Sequence, residues 1–384
     1  MTTTSVPILG DGETMVPWLA RMRAERPVWT AENGVTHVFR YADVQSVLGV
    51  PERFSSELGR VMPFIDPEKI SGNLVWTDPP AHRSMRKIVS QAFTPRTVAA
   101  LRPRVAEIAR ELIAAAPSGE FDIVEVLACA LPIIVIAELL GVSPADRAFF
   151  RESADRSLGI RAEPGQSPEA LAVVVAEATA ELDAYLLAEV RRRRSNPAHD
   201  LLSDLTATSL TDTEVTTFAT LLLTAGYVTT TLLIGNALLC LRDNPAAEVA
   251  LRADPALLPG AVEEVLRCRP PFPHMYRIAN EETEITGVPV SANTFLSLSL
   301  LSANRDERVF PDADRFDIRR EENRHLAFGH GIHFCLGAPL ARLETGIAIG
   351  LLLDEFTELT VTGDVEYHDS EFYGARRLVV AARR

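Results

Sequence analysis

What the chain lacks narrows its class before any motif is read. Its first twenty residues, MTTTSVPILGDGETMVPWLA, hold no basic stretch leading into an apolar run. Neither a secretory signal nor an N-terminal anchor is therefore expected, and a cytoplasmic protein is. Four cysteines, Cys129, Cys240, Cys268 and Cys335, are scattered over 384 residues without a CxxC pair. That spacing argues against a zinc cluster or a disulfide scaffold, so each cysteine has to be judged alone. Basic residues are outnumbered, 38 against 52 acidic, for a net charge of -14. This disfavours nucleic acid or an anionic membrane as partner of the whole molecule. Internal repeats and low-complexity linkers are also missing.

Two further absences are local. Residues 79–106 contain no acid but carry Arg83, Arg86, Lys87, Arg96, Arg102 and Arg104. Such a run is either a solvated helix face or an anion site and docking face for an acidic partner. Residues 215–241 carry no charge at all, 27 positions in a row. Length alone would let that segment span a bilayer. Seven threonines, Gly226, Gly235 and Asn236 dilute its apolar signal, and Thr211 with Glu214 three residues on forms a capping-box pattern at its start. A long helix buried through a soluble core is the better expectation.

Apolar residues at three- and four-residue spacing predict helices over 98–116, 124–141, 144–158 and 168–194. Strand-like runs are fewer, at 35–41, 277–285, 294–300 and 378–382. Strands at both ends and in the middle of the chain fit one domain, 1–384, mainly α with a small, discontinuous β region.

The most informative run is Phe328-Gly329-His330-Gly331-Ile332-His333-Phe334-Cys335-Leu336-Gly337-Ala338-Pro339. A lone cysteine is ordinarily a small buried hydrophobe, the expectation for Cys129, Cys240 and Cys268. Around Cys335, Gly329 and Gly331 permit a tight turn and close approach to a flat ligand, while Gly337, Ala338 and Pro339 lead into a helix. Backbone N–H groups would then point at the sulfur, favouring the thiolate that ligates a metal.

This run resembles the cysteine-loop signature of cytochromes P450, FxxGxxxCxG, in its bacterial form, with Phe328, Gly331, His333, Cys335 and Gly337 in register. Five matches at fixed spacing are far too many for chance. The resemblance implies haem b with Cys335 as the axial metal ligand, and Phe328, Gly329, Gly337 and His333 around it. It extends to Glu264 and Arg267, similar to the family's ExxR pair, with Arg315 expected as the third member of that network. It also implies that His82 and Arg86, four apart on a helix starting near Pro79, and Arg277 bind the haem propionates. Surplus cations Arg83, Lys87 and Arg342 become docking candidates for a ferredoxin or flavodoxin fed by an NAD(P)H reductase.

Within the uncharged helix, Phe218, Leu222, Ala225, Gly226, Thr229 and Leu233 fall on one stripe. Ala225-Gly226-Tyr227-Val228-Thr229-Thr230 resembles the family's oxygen-binding segment, usually AGx(D/E)T(T/S). That resemblance implies that Ala225 and Gly226 make room for dioxygen and that the Thr229 hydroxyl helps deliver protons. Without it, Thr229 reads as a core threonine bonded to its own backbone. Val228 stands where the family usually has an acid. Tyr227, about 160° round the helix from Thr229, is a poor substitute. Ordered water is then expected to complete the proton path.

The resemblance covers residue 78 to the C-terminus. It implies a monomeric oxygenase that puts one atom of O2 into a C–H bond or alkene of an apolar natural product, a macrolide or other polyketide. Pocket residues are expected from 57–75, 158–169, the buried helix (Phe218, Leu222), Phe272, His274 and Met275 of segment 272–276, and the turn at Phe372. A peroxide-driven peroxygenase and a non-enzymatic haem sensor stand as alternatives.

Overall fold

The computed structural model describes residues 6, 7, 9, 10, 12, 14–61, 72–159, 167–368 and 371–384. Its helices in chain order are α1 (Met15–Glu25), α2 (Tyr41–Gly49), α3 (Ala81–Val89), α4 (Pro95–Ala114), α5 (Ala130–Leu140), α6 (Arg147–Ser157) and α7 (Pro168–Ser195). They continue with α8 (Leu201–Thr206), α9 (Asp212–Asp243), α10 (Pro245–Ala253), α11 (Leu258–Cys268), α12 (Leu300–Ala303) and α13 (Ala338–Glu355).

The uncharged segment becomes α9, the longest helix among the described residues. Its start is a true capping box: the Thr211 hydroxyl accepts from the Glu214 N–H at 3.2 Å, and the Glu214 carboxylate accepts from the Thr211 N–H at 2.8 Å. These bonds satisfy donors that a helix N-terminus otherwise leaves open. α9 is the one described helix long and apolar enough to cross a membrane, and it lies mostly buried, packed against α5, α7, α11 and α13. The arginine run at the end of α7 ties that helix to its neighbours. Buried Arg193 binds Asp200 and the Gly141 carbonyl, and Arg194 binds Asp212 and the carbonyls of Thr206 and Leu210.

Among the described residues the β part comprises twelve short strands: β1 (Val28–Thr30), β2 (Thr36–Val38), β3 (Phe54–Ser55), β4 (Gly119–Asp122), β5 (His274–Ala279), β6 (Thr283–Ile285), β7 (Val288–Val290), β8 (Phe295–Ser299), β9 (Glu358–Val361), β10 (Glu366–Tyr367), β11 (Ala375–Arg377) and β12 (Val379–Arg383). A five-stranded sheet has the order β1-β2-β8-β5-β3, and a three-stranded sheet has the order β4-β12-β9. β2 and β8 pair in parallel, and the other contacts of the larger sheet are antiparallel. The larger sheet thus joins residues 28–55 to 274–299, the discontinuity the sequence implies.

Three predicted helix starts differ: the helix predicted from 98 begins at Pro95, capped by Thr94. The segment predicted as one helix from 124 begins as a π-turn, Val124–Ala128, with Cys129 N–H on the Val124 carbonyl at 2.8 Å. The one predicted from 144 begins as a 3₁₀ turn, Pro144–Asp146.

Candidate active site: a cysteine loop, its clamp and an anion cradle

The loop before α13 is built by backbone bonds. Gly329 N–H donates to Leu326 at 2.8 Å, Cys335 N–H to Phe328 at 2.9 Å, and Phe334 N–H to Gly331 at 3.1 Å. Gly331 has φ +71° and passes so close to α2 that a Cβ would sit 2.8 Å from the Leu48 carbonyl oxygen. Only glycine fits both demands. Cys335 alone of the four cysteines is exposed; the other three are buried. Protein nevertheless crowds its thiol, and burial pushes it up, opposed by the N–H groups of Gly337 and Ala338 and by Arg86 and Arg342. The helix-start donors expected at the sulfur are therefore present.

Behind the loop lies a fully buried ion pair. Both Glu264 and Arg267 are at 0% exposure, joined by two hydrogen bonds of 2.8 Å. Arg267 also donates to the carbonyls of Asn304, Ala313 and Arg315, and Glu264 accepts from the Asp317 N–H and from Asn323. Arg315 is not the third member expected from the sequence. Its side chain points outward, and its contribution is its carbonyl. Arg320 takes that place, with Nε 3.2 Å from both Glu264 oxygens. The chain turns back after Asp317, whose carbonyl accepts from the Arg320 N–H, and this return brings in a residue five positions later than expected. Asn304 links the pair to the loop, its Oδ1 accepting from Leu326 N–H at 2.6 Å. A buried pair is favourable only when its remaining donors and acceptors are met, as here.

Glu263, the neighbour of Glu264, clamps the loop from the other side. It holds Arg342 through bonds of 2.6 and 2.7 Å and His325 at 3.1 Å. The Arg342 guanidinium lies 4.5 Å from the Phe328 ring centre. Arg342 is therefore tied to the loop, and its guanidinium is shared between Glu263 and the Phe328 ring.

Four of the predicted cofactor-binding residues converge. His82 and His333 pack ring to ring at 4.2 Å, His333 Nε2 lies 3.0 Å from the Ser56 hydroxyl, and Arg86 donates to the Phe334 carbonyl at 2.7 Å. Arg277 spends one nitrogen on the Tyr276 carbonyl. Both nitrogens of buried His82, and Nη2 of buried Arg277, have no protein partner. Burial lowers Arg277 to about 10, against a smaller opposing pull from Asp78. Burial also lowers His82, helped by Arg86. Unpartnered buried donors are costly. A cluster of them answers to an anion, and the two carboxylates of a haem fit the donor set.

Over residues 171–373 the chain matches the family described as cytochrome P450. It is 43% identical to the erythromycin C-12 hydroxylase of Saccharopolyspora erythraea, over 99% of this chain and 98% of that one. It is 44% identical to the cyclomarin C epoxidase CymV of Salinispora arenicola, over 100% of both chains. Its fold is similar to that of open cytochrome P450 EryK from S. erythraea, with TM-score 0.92 and 42% identity over 98% of each chain. The chain is a cytochrome P450. It is a monooxygenase whose cofactor is haem b with a cysteine thiolate ligand, and it works with a redox partner on a small-molecule substrate.

The other face of the P450 site is less uniform than its sequence stripe. On α9, Ala225 is exposed and Thr229 half-buried, and the Thr229 hydroxyl donates to the Ala225 carbonyl at 2.7 Å. Gly226 looks elsewhere: a Cβ there would lie 2.4 Å from Ile136 Cδ1, so its smallness admits α5. Phe218 and Leu233 are buried in the core, while Leu222 is half-buried. Tyr227 is buried and donates to Asp155 on α6 at 2.8 Å, and Val228 is buried beside it. Among the other pocket candidates, Phe272 and Phe372 form an aromatic pair at 6.1 Å. Met275 packs toward Gly329, and His274 Nδ1 is without a partner. Of the expected pocket segments, residues 62–71 and 160–166 lie outside the described residues. A surface cleft of about 440 Å³ between α4, α5 and α8 holds none of these groups.

Proposed function

We propose that this P450 oxidises a largely apolar natural product of the macrolide or polyketide class, by hydroxylation or epoxidation, in secondary-metabolite biosynthesis in the cytoplasm. The observation that carries the reading is end-to-end similarity to a macrolide hydroxylase, at 43% identity over 99% of the chain. Haem bound at Cys335 supplies reductive activation of dioxygen. The protein's own part divides among named residues. Cys335 is the ligand, oriented by the N–H groups of Gly337 and Ala338. His82, Arg86, Arg277 and His333 hold the two carboxylates, with Phe328 and Gly329 shaping the loop. Ala225 leaves space beside Thr229, whose hydroxyl exchanges its bond to the Ala225 carbonyl for a proton-donating one. With Val228 in place of an acid, water carries the proton to Thr229.

A ferredoxin or flavodoxin docks at Arg83 and Lys87, which lie exposed on α3; Arg83 faces Glu52 at 3.8 Å, a weak surface pair. The single domain acts as a monomer, with no nucleic acid or membrane as partner. Titrating the purified enzyme with macrolides, other polyketides, steroids and fatty acids tests the substrate class. A macrolide or polyketide is expected to shift the haem absorption band and to gain one oxygen atom under ferredoxin-supported turnover. Binding and oxidation confined to steroids or fatty acids sinks the assignment.

A further inference from the structure

Asn236 lies seven residues beyond Thr229 on α9, which is about two helical turns on and only about 20° round the axis. It is fully buried. Its side-chain amide donates to two carbonyls from distant parts of the chain, Arg269 at 2.9 Å and Tyr373 at 2.8 Å. Two carbonyl partners fix which end of the amide is nitrogen.

Those carbonyls mark the bases of the two segments that carry the aromatic pair. Arg269 caps the C-terminus of α11 and is followed by Pro270-Pro271-Phe272-Pro273. The three prolines have no N–H, so this stretch can be held through its backbone mainly by its carbonyl oxygens. Asn236 takes the first of these, and the Tyr373 N–H takes that of Pro271 at 2.9 Å. Tyr373 in turn directly follows Phe372. At Gly374 a Cβ would fall 2.9 Å from both Asn236 Oδ1 and Leu232 Cδ2, so the C-terminal turn lies flush on α9.

We infer that Asn236 is a positioning residue for substrate selection. By tying the proline-rich segment and the C-terminal turn to the face of α9 that bears Thr229, it sets where the Phe272–Phe372 wall stands over the reacting centre. The inference rests on the reading that this aromatic pair lines the substrate pocket.

The test uses haem-loaded enzyme and two azole probes, imidazole, which reads only access to the iron, and clotrimazole, whose bulky aryl groups reach the pocket wall. Asn236→Leu removes both donors and keeps the branched shape with bulkier methyl groups, Asn236→Ser restores one donor without added bulk, and Phe372→Ala removes the wall directly. The thiolate-type ferrous–CO band is expected to be unchanged in all three. Loss of two buried hydrogen bonds predicts that Asn236→Leu weakens clotrimazole about tenfold, with imidazole within about twofold. Asn236→Ser is expected to fall between, and it carries the test if the leucine variant does not fold. Clotrimazole binding that changes in Phe372→Ala but not in either Asn236 variant overturns the role of Asn236 and leaves the pocket standing. Unchanged clotrimazole binding in Phe372→Ala as well overturns the pocket reading. Equal weakening of both azoles overturns the inference too, because it marks general damage to the haem site.

Discussion

The two sides of the haem site are held by different means. Behind the cysteine loop, Glu264, Arg267 and Arg320 are joined by charge-assisted bonds, and Glu263, Arg342 and His325 repeat the arrangement at the loop's edge. On the α9 side, the residues proposed to act are small or neutral: Ala225, Thr229 bonded to its own helix, and an aromatic pair on two segments bonded to Asn236. A side whose donors and acceptors are satisfied resists change, as suits a fixed ligand to iron. A side bounded by apolar packing can be reshaped residue by residue at modest cost, as suits a family of enzymes with different substrates.

The clamp is the place where this contrast would break most visibly. Arg320→Ala is expected to cost about 1.5–3 kcal/mol by removing charge-assisted bonds to Glu264, which keeps Arg267 as its partner, read in urea unfolding, with weakening of the thiolate-type ferrous–CO band. Arg315→Ala, on an outward-pointing side chain, is expected to change stability by less than about 0.5 kcal/mol. The reverse ranking would return the clamp to Arg315.

On the α9 side, Thr229→Ala should leave stability and the CO band intact but divert electrons to hydrogen peroxide. Positioned proton transfer is worth about 10²-fold or more, so product formed per NAD(P)H should fall steeply, and an unchanged yield removes Thr229 from the proton path. Gly226→Ala tests what the neighbouring small residue is for. Its new methyl meets the Cδ1 end of Ile136, and the cost of shifting that methyl, partly offset by the better helix propensity of alanine, is expected to be about 1 kcal/mol. Ile136→Val in the same chain should recover most of the loss; no recovery would mean the space belongs to the haem side.

Acid titration should separate the regions by the smallest margin. Burial holds His37 at about 4 instead of 6.5, and burial together with His37 holds His274 at about 4. The unfolded chain takes up these protons first, so their contribution is complete above pH 6.5 and fades as pH falls toward 4. At Glu263 burial opposes ionisation, but the bonds from Arg342 and His325 outweigh it and hold the carboxyl at about 2 instead of 4.5. Its contribution is therefore present above pH 4.5 and fades toward pH 2. The pH dependence of the urea midpoint should flatten in the upper window for His274→Gln relative to the parent chain, and in the lower window for Glu263→Gln. A His274→Gln profile parallel to the parent's above pH 4 would remove the histidine part of the contrast.

Legibility followed the same division. The cysteine loop could be read because Gly329 and Gly331 take positive φ within six residues of Cys335, and the capping box at Thr211 is equally local. Glu264 and Arg267 share one helical turn, so their pairing was visible. Arg320 was missed because it enters from a turn of irregular backbone, where no periodic pattern says which of several arginines folds back. The bonding roles of Asn304, Asn323 and Asn236 were missed for a related reason, since each bonds to groups distant in sequence. Strands of two to five residues such as β3 and β10 are too short for alternation to show.

The sequence by itself determined the family, the iron's cysteine ligand, the buried helix and which cations are candidates for the cofactor's carboxylates. Each rests on residues adjacent in the chain or on one helix face, where local geometry dictates residue type. Tertiary structure alone decided which arginine completes the clamp, that Arg342 is tied to the loop, that Gly226 serves helix packing, and that Asn236 ties two remote segments to α9. Those outcomes depend on which surfaces meet when the core closes. A long, flexible or fully buried side chain takes its role from the partner it finds there.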